Sequence, residues 1–390
     1  MGRSELPLRY GMNPRQTPTR AFAAQGGLPI KLLNGSPSLI NMLDLLHGWQ
    51  LVRELKAALG LPAAASYKHV SPAGAAVGLP LSDALRRAYF VGNSSLSPLA
   101  SAYARARGAD RLCSFGDAVA LSDICDASAA TLIAREVSDA VIAPGYEPEA
   151  LTVLRRKRGG RYLILQVDPD YEPPRMERRD LFGITLEQRR NDRTTDRRVF
   201  DKIVTTRDNL PEAARRDLLV ATITLKYTQS NSVCLASDGQ VIGLGAGQQS
   251  RVHCVRLAVA KARRWWLRQH PKVLDLSFQK HLARSSRNNV IEQYLQGDWD
   301  GRADQLSEWF RSSPQPLSES EKTTWLDRLT NVSLSSDGYF PFRDSIDCAR
   351  QVGVKYVLQP GGSLRDEEVT RACNEHGMVM VHSGIRLFTH

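Results

Sequence analysis

The chain of 390 residues lacks the long apolar stretch that a membrane-spanning helix requires, because no apolar run reaches about 18 residues. Residues 1–30 also lack the charged and then apolar pattern of a secretory signal peptide. From both absences we expect a cytoplasmic protein with no membrane partner. The composition, with 42% hydrophobic and 24% charged residues, is that of a globular protein with room for two core-forming domains.

The sequence also lacks closely spaced cysteine pairs. Its six cysteines occur without a C-x-x-C spacing, which predicts reduced thiols and argues against a disulfide framework or a zinc knuckle. They are Cys113, Cys125, Cys234, Cys254, Cys348 and Cys373.

Positive charge is in excess, with a formal net charge of +11 and a pI near 9.5. Such an excess favours an anionic partner. The basic runs at residues 155–158 and 189–190 carry no interleaved aromatic residues of the kind that stack on bases. We therefore interpret these runs as a solvated surface and expect no specific nucleic-acid partner.

The order of patterns predicts an α/β protein with mixed sheets. Residues 36–59 carry a helical apolar stripe, and a short strand after Gly60 and Pro62 ends at Lys68 and His69. We expect that strand to lead into a turn containing Pro72 and Gly74, and Asp238-Gly239 to form a second hairpin turn. Further strand-like runs, separated by helical segments, occur at residues 137–143, 162–167, 233–236, 241–244, 356–358 and 378–381.

Two stretches interrupt this alternation. Residues 169–200 hold three prolines and an arginine-rich run, which predicts a linker or surface excursion. Residues 281–330 show helical periodicity and a capping box from Ser318 to Glu321, which predicts a helical insertion.

The adjacent Lys68 and His69 are the first candidates for chemistry. A histidine titrates near neutrality and can accept a proton, and a neighbouring ammonium can stabilise developing negative charge. Taken alone, the pair also allows a bland interpretation, in which Lys68 is solvated and His69 is structural.

Seven motifs carry a family resemblance. In chain order they are RYGMNP (9–14), YKHVSPAG (67–74), SFGD (114–117), KYTQSNSV (226–233), GAGQQSR (245–251), FPFRD (340–344) and RLF (386–388). Together they resemble the transformylase half of the bifunctional purine-biosynthesis enzyme that formylates AICAR (5-aminoimidazole-4-carboxamide ribonucleotide) and cyclises the product to IMP. The family's cyclohydrolase domain has no counterpart here, so the expectation is a free-standing transformylase that makes formyl-AICAR without cyclising it.

The resemblance implies a fold of cytidine-deaminase-like α/β units. We expect the first unit at residues 1–200 and the second at 201–390, with the helical insertion at about 281–330. The H-x-E and P-C-x-x-C signature of zinc deaminases is absent from the sequence, so we expect no zinc and no hydrolytic deamination.

The resemblance also implies the reaction and its residues. His69 would act as general base and Lys68 would stabilise the oxyanion while the formyl group of 10-formyltetrahydrofolate passes to AICAR. The implied AICAR contacts are Arg9, Tyr10, Gly116, Asp139, Asn231, Arg251, Tyr339 and Arg386. The implied folate contacts are Val252, Asp344, Ser363 and Leu364. A homodimer is expected, and the family leaves room for a structural potassium ion near residues 228–232.

Other interpretations stay open. The glycine-rich run at residues 243–248 lacks the last glycine of a dinucleotide fingerprint, but the helix that follows can bind a polar group at its N-terminus, close to Arg251. Tyr339 and Arg15 stand where the family has phenylalanine and histidine. These departures leave room for a related imidazole nucleotide as substrate, and the basic charge leaves room for a non-catalytic nucleotide-binding regulator.

Overall fold

The computed structural model describes residues 4–23, 26–297 and 303–390. The strands are β1 (Glu5–Leu8), β2 (Thr19–Phe22), β3 (Ile30–Asn34), β4 (Ala63–Lys68), β5 (Ser71–Val77), β6 (Asp117–Leu121), β7 (Ser138–Ala143), β8 (Leu163–Val167), β9 (Met176–Leu181), β10 (Ile184–Arg189), β11 (Val233–Ser237), β12 (Gln240–Gly245), β13 (Val332–Ser336), β14 (Val354–Gln359) and β15 (Val379–His382). The helices are α1 (Leu39–Leu59), α2 (Asp83–Ala88), α3 (Pro98–Gly108), α4 (Ala127–Arg135), α5 (Pro148–Arg156), α6 (Glu212–Lys226), α7 (Arg251–Leu267), α8 (Pro271–Leu274), α9 (Arg284–Gln296), α10 (Ala303–Trp309), α11 (Glu319–Leu326), α12 (Asp344–Ala349) and α13 (Asp366–Glu375).

One mixed sheet of 11 strands forms the centre, in the order β15-β14-β13-β11-β12-β5-β4-β6-β7-β8-β3. Buried apolar residues lie on both faces: α1 and α6 pack on one face, and α3, α4, α5, α7, α12 and α13 pack on the other. Strands covered on both sides are almost wholly apolar, which is why β6 and β12 are buried along their full length. The predicted α/β fold with a mixed sheet flanked by helices is confirmed.

The two halves of this sheet repeat one topology. In the first half β4 and β5 form a hairpin, β4 pairs antiparallel with β6, and β6, β7 and β8 run parallel. In the second half β11, β12, β13, β14 and β15 follow the same scheme. The halves join where β5 pairs with β12 at Ala76 and Gln240. The sequence shows no legible repeat, and the division into units at residues 1–200 and 201–390 stays a prediction.

Local capping explains where the helices that carry the site begin. Ser38 accepts a hydrogen bond at Oγ from the backbone N–H of Asn41 and donates one from its own N–H to Oδ1 of Asn41, so a capping box starts α1. Gly60, in the left-handed region, ends this helix. The predicted capping box of Ser318 and Glu321 starts α11. Helices α9, α10 and α11 occupy the range predicted as helical, around their own apolar cluster.

The range predicted as a linker contains a separate two-stranded sheet. β9 and β10 pair antiparallel across residues 176–189, and every residue of both strands is exposed. None of the helices in the described part of the chain has the length and hydrophobicity that a membrane span requires.

Candidate active site

The Lys68–His69 pair lies at a hairpin turn. β4 ends at Lys68, and β5 begins two residues after His69. His69 and Val70 have φ angles of 54° and 58°, the left-handed geometry of the centre of a type I′ turn. The expected turn at Pro72 and Gly74 is wrong, because both residues lie within β5. The structure instead exposes His69 at the tip, directly beside Lys68.

A buried carboxylate holds this turn. Asp44 on α1 accepts a hydrogen bond at Oδ1 from the backbone N–H of Val70, at 2.7 Å. Burial raises the pKa of Asp44, and the hydrogen bond from Val70 and the charge of His69 act in the opposite direction. Asp44 was missed in the sequence analysis because nothing in its own neighbourhood marks it. Asp44 reaches the backbone of the turn only in the folded chain, where α1 packs against the hairpin.

Lys68 is held by a hydrogen bond to a residue of the first half of the sheet. Its Nζ donates a hydrogen bond to the carbonyl oxygen of Phe115 at 2.6 Å, and the adjacent Gly116 donates from its N–H to the carbonyl oxygen of Val137 at 2.9 Å. Gly116 has a φ of 74°, and a Cβ added there would lie 3.8 Å from Oδ2 of Asp139. The structure therefore brings Lys68, Gly116 and Asp139 together at one end of the neighbouring strands β4, β6 and β7.

Asp139 is already engaged in an ion pair. Its Oδ1 lies 2.7 Å from Nη1 of Arg158, and both side chains are about half exposed. A ligand at Asp139 would therefore meet a carboxylate and a guanidinium side by side.

A second cluster joins Asn231 and Arg251. Asn231 Oδ1 accepts from Arg251 Nη2 at 2.9 Å, while Asn231 Nδ2 donates to the carbonyl of Gln248 at 2.9 Å. Arg251 also donates to the carbonyl of Ser232 and pairs with the fully buried Asp337. The two predicted residues are thus oriented by one another. Asp337 was missed in the sequence analysis because its partners lie about a hundred positions away.

The hairpin and the second cluster lie close together. Ser71, the first residue of β5, accepts at Oγ from the backbone N–H of Gln229 at 3.4 Å. The hydroxyl of Tyr67 donates to the carbonyl oxygen of Tyr227. The site therefore lies where the amino ends of β6 and β7 meet the carboxyl end of β13, so the two halves contribute opposite ends of their parallel strands.

The terminal motifs lie on different elements. Arg9 donates to Oδ1 of Asn41 at 3.4 Å near the start of α1, and its guanidinium lies over the ring of Tyr10. Arg386 is exposed, and its neighbour Leu387 donates from its backbone N–H to the carbonyl of Asp337 at 2.9 Å. Among the described residues, no hydrogen bond joins Arg9 to Arg386. Both remain accessible to a ligand.

The predicted folate contacts lie around the packed helices α7 and α12. Val252 is in the first turn of α7, and Asp344 is the exposed first residue of α12. Leu364 is fully exposed in the loop after β14, next to Ser363, and Tyr339 is about half exposed. Arg365, the neighbour of Leu364, lies over the ring of the exposed Phe342, so apolar surface is available near Asp344.

Side-chain oxygen atoms that could bind a cation lie close together near residues 228–232, where a potassium ion is predicted. Asp337 Oδ2 accepts from the hydroxyls of Ser230 at 2.6 Å and Ser232 at 2.9 Å. In the part of the chain that the structure describes, no group of three or more His, Cys, Asp and Glu side chains is placed to hold a metal ion.

Comparison with known proteins places these motifs in a family. Residues 1–261 match the family described as AICARFT/IMPCHase bienzyme. The bifunctional purine biosynthesis protein PurH of Xylella fastidiosa is 31% identical over 391 residues, covering 98% of this chain and 58% of that protein. The PurH proteins of Cereibacter sphaeroides and Magnetococcus marinus are each 30% identical, covering 98% of this chain and 59% of their own length. The chain thus spans less than two thirds of these curated relatives.

Proposed function

The chain belongs to the AICARFT/IMPCHase bienzyme family, and from this premise we propose that it is a formyltransferase of purine biosynthesis. It would move the formyl group of 10-formyltetrahydrofolate to the 5-amino group of AICAR, giving formyl-AICAR and tetrahydrofolate. The observation that carries the proposal is the hairpin turn, which presents His69 at its tip and Lys68 beside it.

Formyl transfer at this turn would form one C–N bond and break another. The amine nitrogen of AICAR attacks the formyl carbon, a new C–N bond forms, and the bond from that carbon to N10 of the folate breaks. His69 accepts the proton that the amine loses, since the amine is a poor nucleophile without proton removal. Lys68 stabilises the oxyanion of the tetrahedral intermediate. N10 leaves with that proton, which protonated His69 returns either directly or by way of Lys68.

Binding roles follow from position. Asn231 and Arg251, which orient one another, would hold the carboxamide of AICAR in line with His69. The exposed guanidinium groups of Arg9 and Arg386 suit a phosphate, because arginine pairs bidentately with its oxygens. The exposed carboxylate of Asp344 would accept hydrogen bonds from the pterin edge. We assign Tyr10, Gly116, Asp139 and Tyr339 to AICAR, and Val252, Ser363 and Leu364 to the folate.

Two other functions compete with this one. Tyr339 adds an exposed hydroxyl near the carboxamide site, which would suit a related imidazole nucleotide. A non-catalytic nucleotide-binding regulator would have no use for a base beside an oxyanion donor, so Lys68 and His69 argue against it.

One assay separates these functions. The purified chain is incubated with 10-formyltetrahydrofolate and AICAR while tetrahydrofolate release is followed, with the His69→Ala protein as control. Release that requires both AICAR and His69 would support the transformylase. A protein that binds AICAR tightly without any release would support the regulator, and release only with another imidazole nucleotide would support the second enzyme.

We infer a homodimer from the hairpin of β9 and β10. A two-stranded hairpin is at best marginally stable in water without something to pack on. Here apolar side chains stay exposed on the hairpin. They include Met176, Leu181, Phe182, Ile184 and Leu186. A second copy of the chain is the partner that would cover them, and a symmetric contact would do so in both subunits at once.

Light scattering tests the assembly. The wild-type chain should have the mass of a dimer, and Phe182→Asp should shift it toward the monomer, whereas Arg350→Asp at an exposed site should not. A wild-type monomer would contradict the inference.

Mixing His69→Ala with Arg251→Ala subunits would restore activity if the two residues serve one site from opposite subunits.

The oxygen donors around Asp337 suit a hard monovalent or divalent cation. Ser230, Ser232 and Asp337 would hold a potassium ion, which would supply positive charge that orders the loop beside Asn231. Thermal unfolding in potassium chloride and in tetramethylammonium chloride would test this.

The cytoplasmic location of the protein stays a prediction.

A further inference from the structure

A cavity of about 180 Å³ lies between the first half of the sheet and the helical insertion. The end of α3, the loop before β6, the end of α4 and the start of α9 form its wall. Four arginines and one glutamate are among the lining residues, namely Arg107, Arg111, Arg135, Arg284 and Glu136. Positive charge is therefore in excess inside a concave site.

Glu136 is shared between several of these arginines. It lies 2.9 Å from Nη2 of Arg111, 3.3 Å from Nε of Arg107 and 3.6 Å from Nη1 of Arg284. Arg107 pairs in addition with the buried Asp117 at 2.7 Å. The two carboxylates of Glu136 and Asp117 cannot balance three guanidinium groups, so the pairing leaves net positive charge facing the cavity.

Arg135 adds to this excess. Among the described residues, no carboxylate lies within ion-pair distance of its guanidinium. Burial lowers the pKa of Arg284; Glu136 opposes this, and the positive charges of Arg135 and Arg111 reinforce it. Neighbouring cations that repel one another would be stabilised by an anion placed between them.

The N-terminus of α9 also favours an anion in the cavity. Its N-cap residue, Ala283, offers no side chain to the free N–H groups of the first turn, and Ser285 in that turn lines the cavity. A 13-residue helix carries partial positive charge at this end. Backbone donors and guanidinium groups therefore converge on one space.

The cavity shares a wall with the candidate active site. Phe115 lines the cavity while its carbonyl oxygen accepts the hydrogen bond from Lys68. Val137 also lines it while its carbonyl oxygen accepts from Gly116. The cavity and the candidate active site therefore share Phe115 and Val137, and a substrate held at Lys68 would have to reach only past Phe115 to place a charged group in the cavity.

We propose that this cavity is a subsite for a carboxylate or phosphate group carried by a substrate bound at the Lys68–His69 turn. The identity of that substrate rests on the proposed function. Two sources carry the required chemistry. They are the glutamyl carboxylates of the reduced folate, which the assignment of the AICAR phosphate to Arg9 and Arg386 favours, and the AICAR phosphate itself, which would contradict that assignment. Both present oxygen pairs that arginine binds bidentately.

The test removes Arg135 and Arg284 together by alanine substitution. Arg107 and Arg111 are kept, because their loss would leave buried carboxylates unpaired and endanger folding. The control is Arg350→Ala, an exposed arginine away from the cavity. Titration calorimetry on the full chain at low salt measures the Kd for tri-γ-glutamate and, separately, for AICAR.

We expect the double variant to weaken binding of one probe by about tenfold, as for the loss of a charge-assisted hydrogen bond. Weaker binding of tri-γ-glutamate identifies the folate carboxylates, and weaker binding of AICAR identifies its phosphate. The inference is overturned if both Kd values stay within about twofold of the Arg350→Ala protein, or if the wild type binds neither probe. Formyl transfer by the wild type is measured separately, so a failure of the proposed function is seen on its own.

Discussion

The two halves of the sheet contain equivalent hairpins, β4–β5 and β11–β12, and both turns are held in the same way. In the first half, buried Asp44 on α1 accepts a hydrogen bond from the N–H of Val70 at 2.7 Å. In the second half, buried Asp217 on α6 accepts from the N–H groups of Asp238 at 2.8 Å and Gly239 at 2.7 Å. Both turns put left-handed residues at their centre. In both halves, therefore, a buried aspartate on a helix holds the backbone of the hairpin turn.

The turn residues differ. Asp238-Gly239 is among the best sequences for a type I′ turn, because glycine and aspartate accept positive φ readily. His69-Val70 is a poor one, since a β-branched residue at a φ of 58° is a true outlier. Left-handed geometry costs such a residue about 1–2 kcal/mol. Strain of this kind clusters at functional sites. The comparison therefore supports His69 as the functional tip and Asp238 as the structural one.

The largest expected effect comes from exchanging the equivalent residues His69 and Asp238 for alanine. His69→Ala should lower kcat by about 10²–10⁴-fold, the usual contribution of a general base, with little change in the free energy of unfolding. Lys68→Ala should also lower kcat strongly. Steady-state kinetics and chemical denaturation measure the two properties.

Asp238→Ala is the matched control and should behave in the opposite way. Asp238 Oδ2 accepts a hydrogen bond from the buried Arg105 at 2.9 Å, so its loss should destabilise the chain by about 1–3 kcal/mol while kcat is retained. A His69→Ala protein with more than about a tenth of the wild-type kcat would contradict the assignment of the base.

A smaller effect is expected when the two supporting aspartates lose their charge. Asp44→Asn keeps an oxygen acceptor but weakens the hydrogen bond that positions the turn, so kcat should fall by about tenfold. Asp217→Asn, in the second half, should leave kcat within about twofold. Equal loss of kcat in both variants would show that the aspartates act through stability alone.

The pH dependence of stability sharpens this test. Burial raises the pKa of both Asp44 and Asp217 above the ordinary value of 3.8. The folded state then holds more protons than the unfolded state, so this contribution to stability is full below the unfolded pKa and is lost as pH rises through the folded pKa. Each Asn variant should therefore gain stability relative to the wild type as pH rises above about 4. Denaturation at several pH values measures this gain, and a constant difference would contradict it.

Local patterns predicted much of the fold, because the apolar periodicities and the capping box at Ser318 depend on residues near in sequence. The Asp238-Gly239 turn was predicted correctly for the same reason. The turn at His69 and Val70 could not be predicted, since its residues disfavour the geometry that they adopt. The repeat of topology was hidden because the halves share backbone paths and few residues.

Some residues of the candidate site could likewise be predicted from the local sequence, and others could not. Lys68 and His69 are adjacent in sequence, so their pairing could be predicted, and the resemblance supplied the remaining contacts. Asp44 and Asp337 could not be found, because each acts on residues that only the folded chain brings near. The arginine cavity was missed for the same reason, since Glu136 and Arg284 are far apart in sequence.

The smallest expected effect concerns the strain itself. Val70 and Gly239 occupy the second position of the two turns, with φ of 58° and 73°. Val70→Asn should raise the free energy of unfolding by about 1 kcal/mol, because asparagine tolerates the left-handed region better than valine. Gly239→Val makes the reverse exchange and should lower it, since an added Cβ would also lie 2.8 Å from Cδ1 of Leu79. Chemical denaturation compares both variants with the wild type. Loss of stability in Val70→Asn would show that packing of the half-buried valine outweighs its backbone strain, and the contrast between the two turns would then lie only in the chemistry of His69.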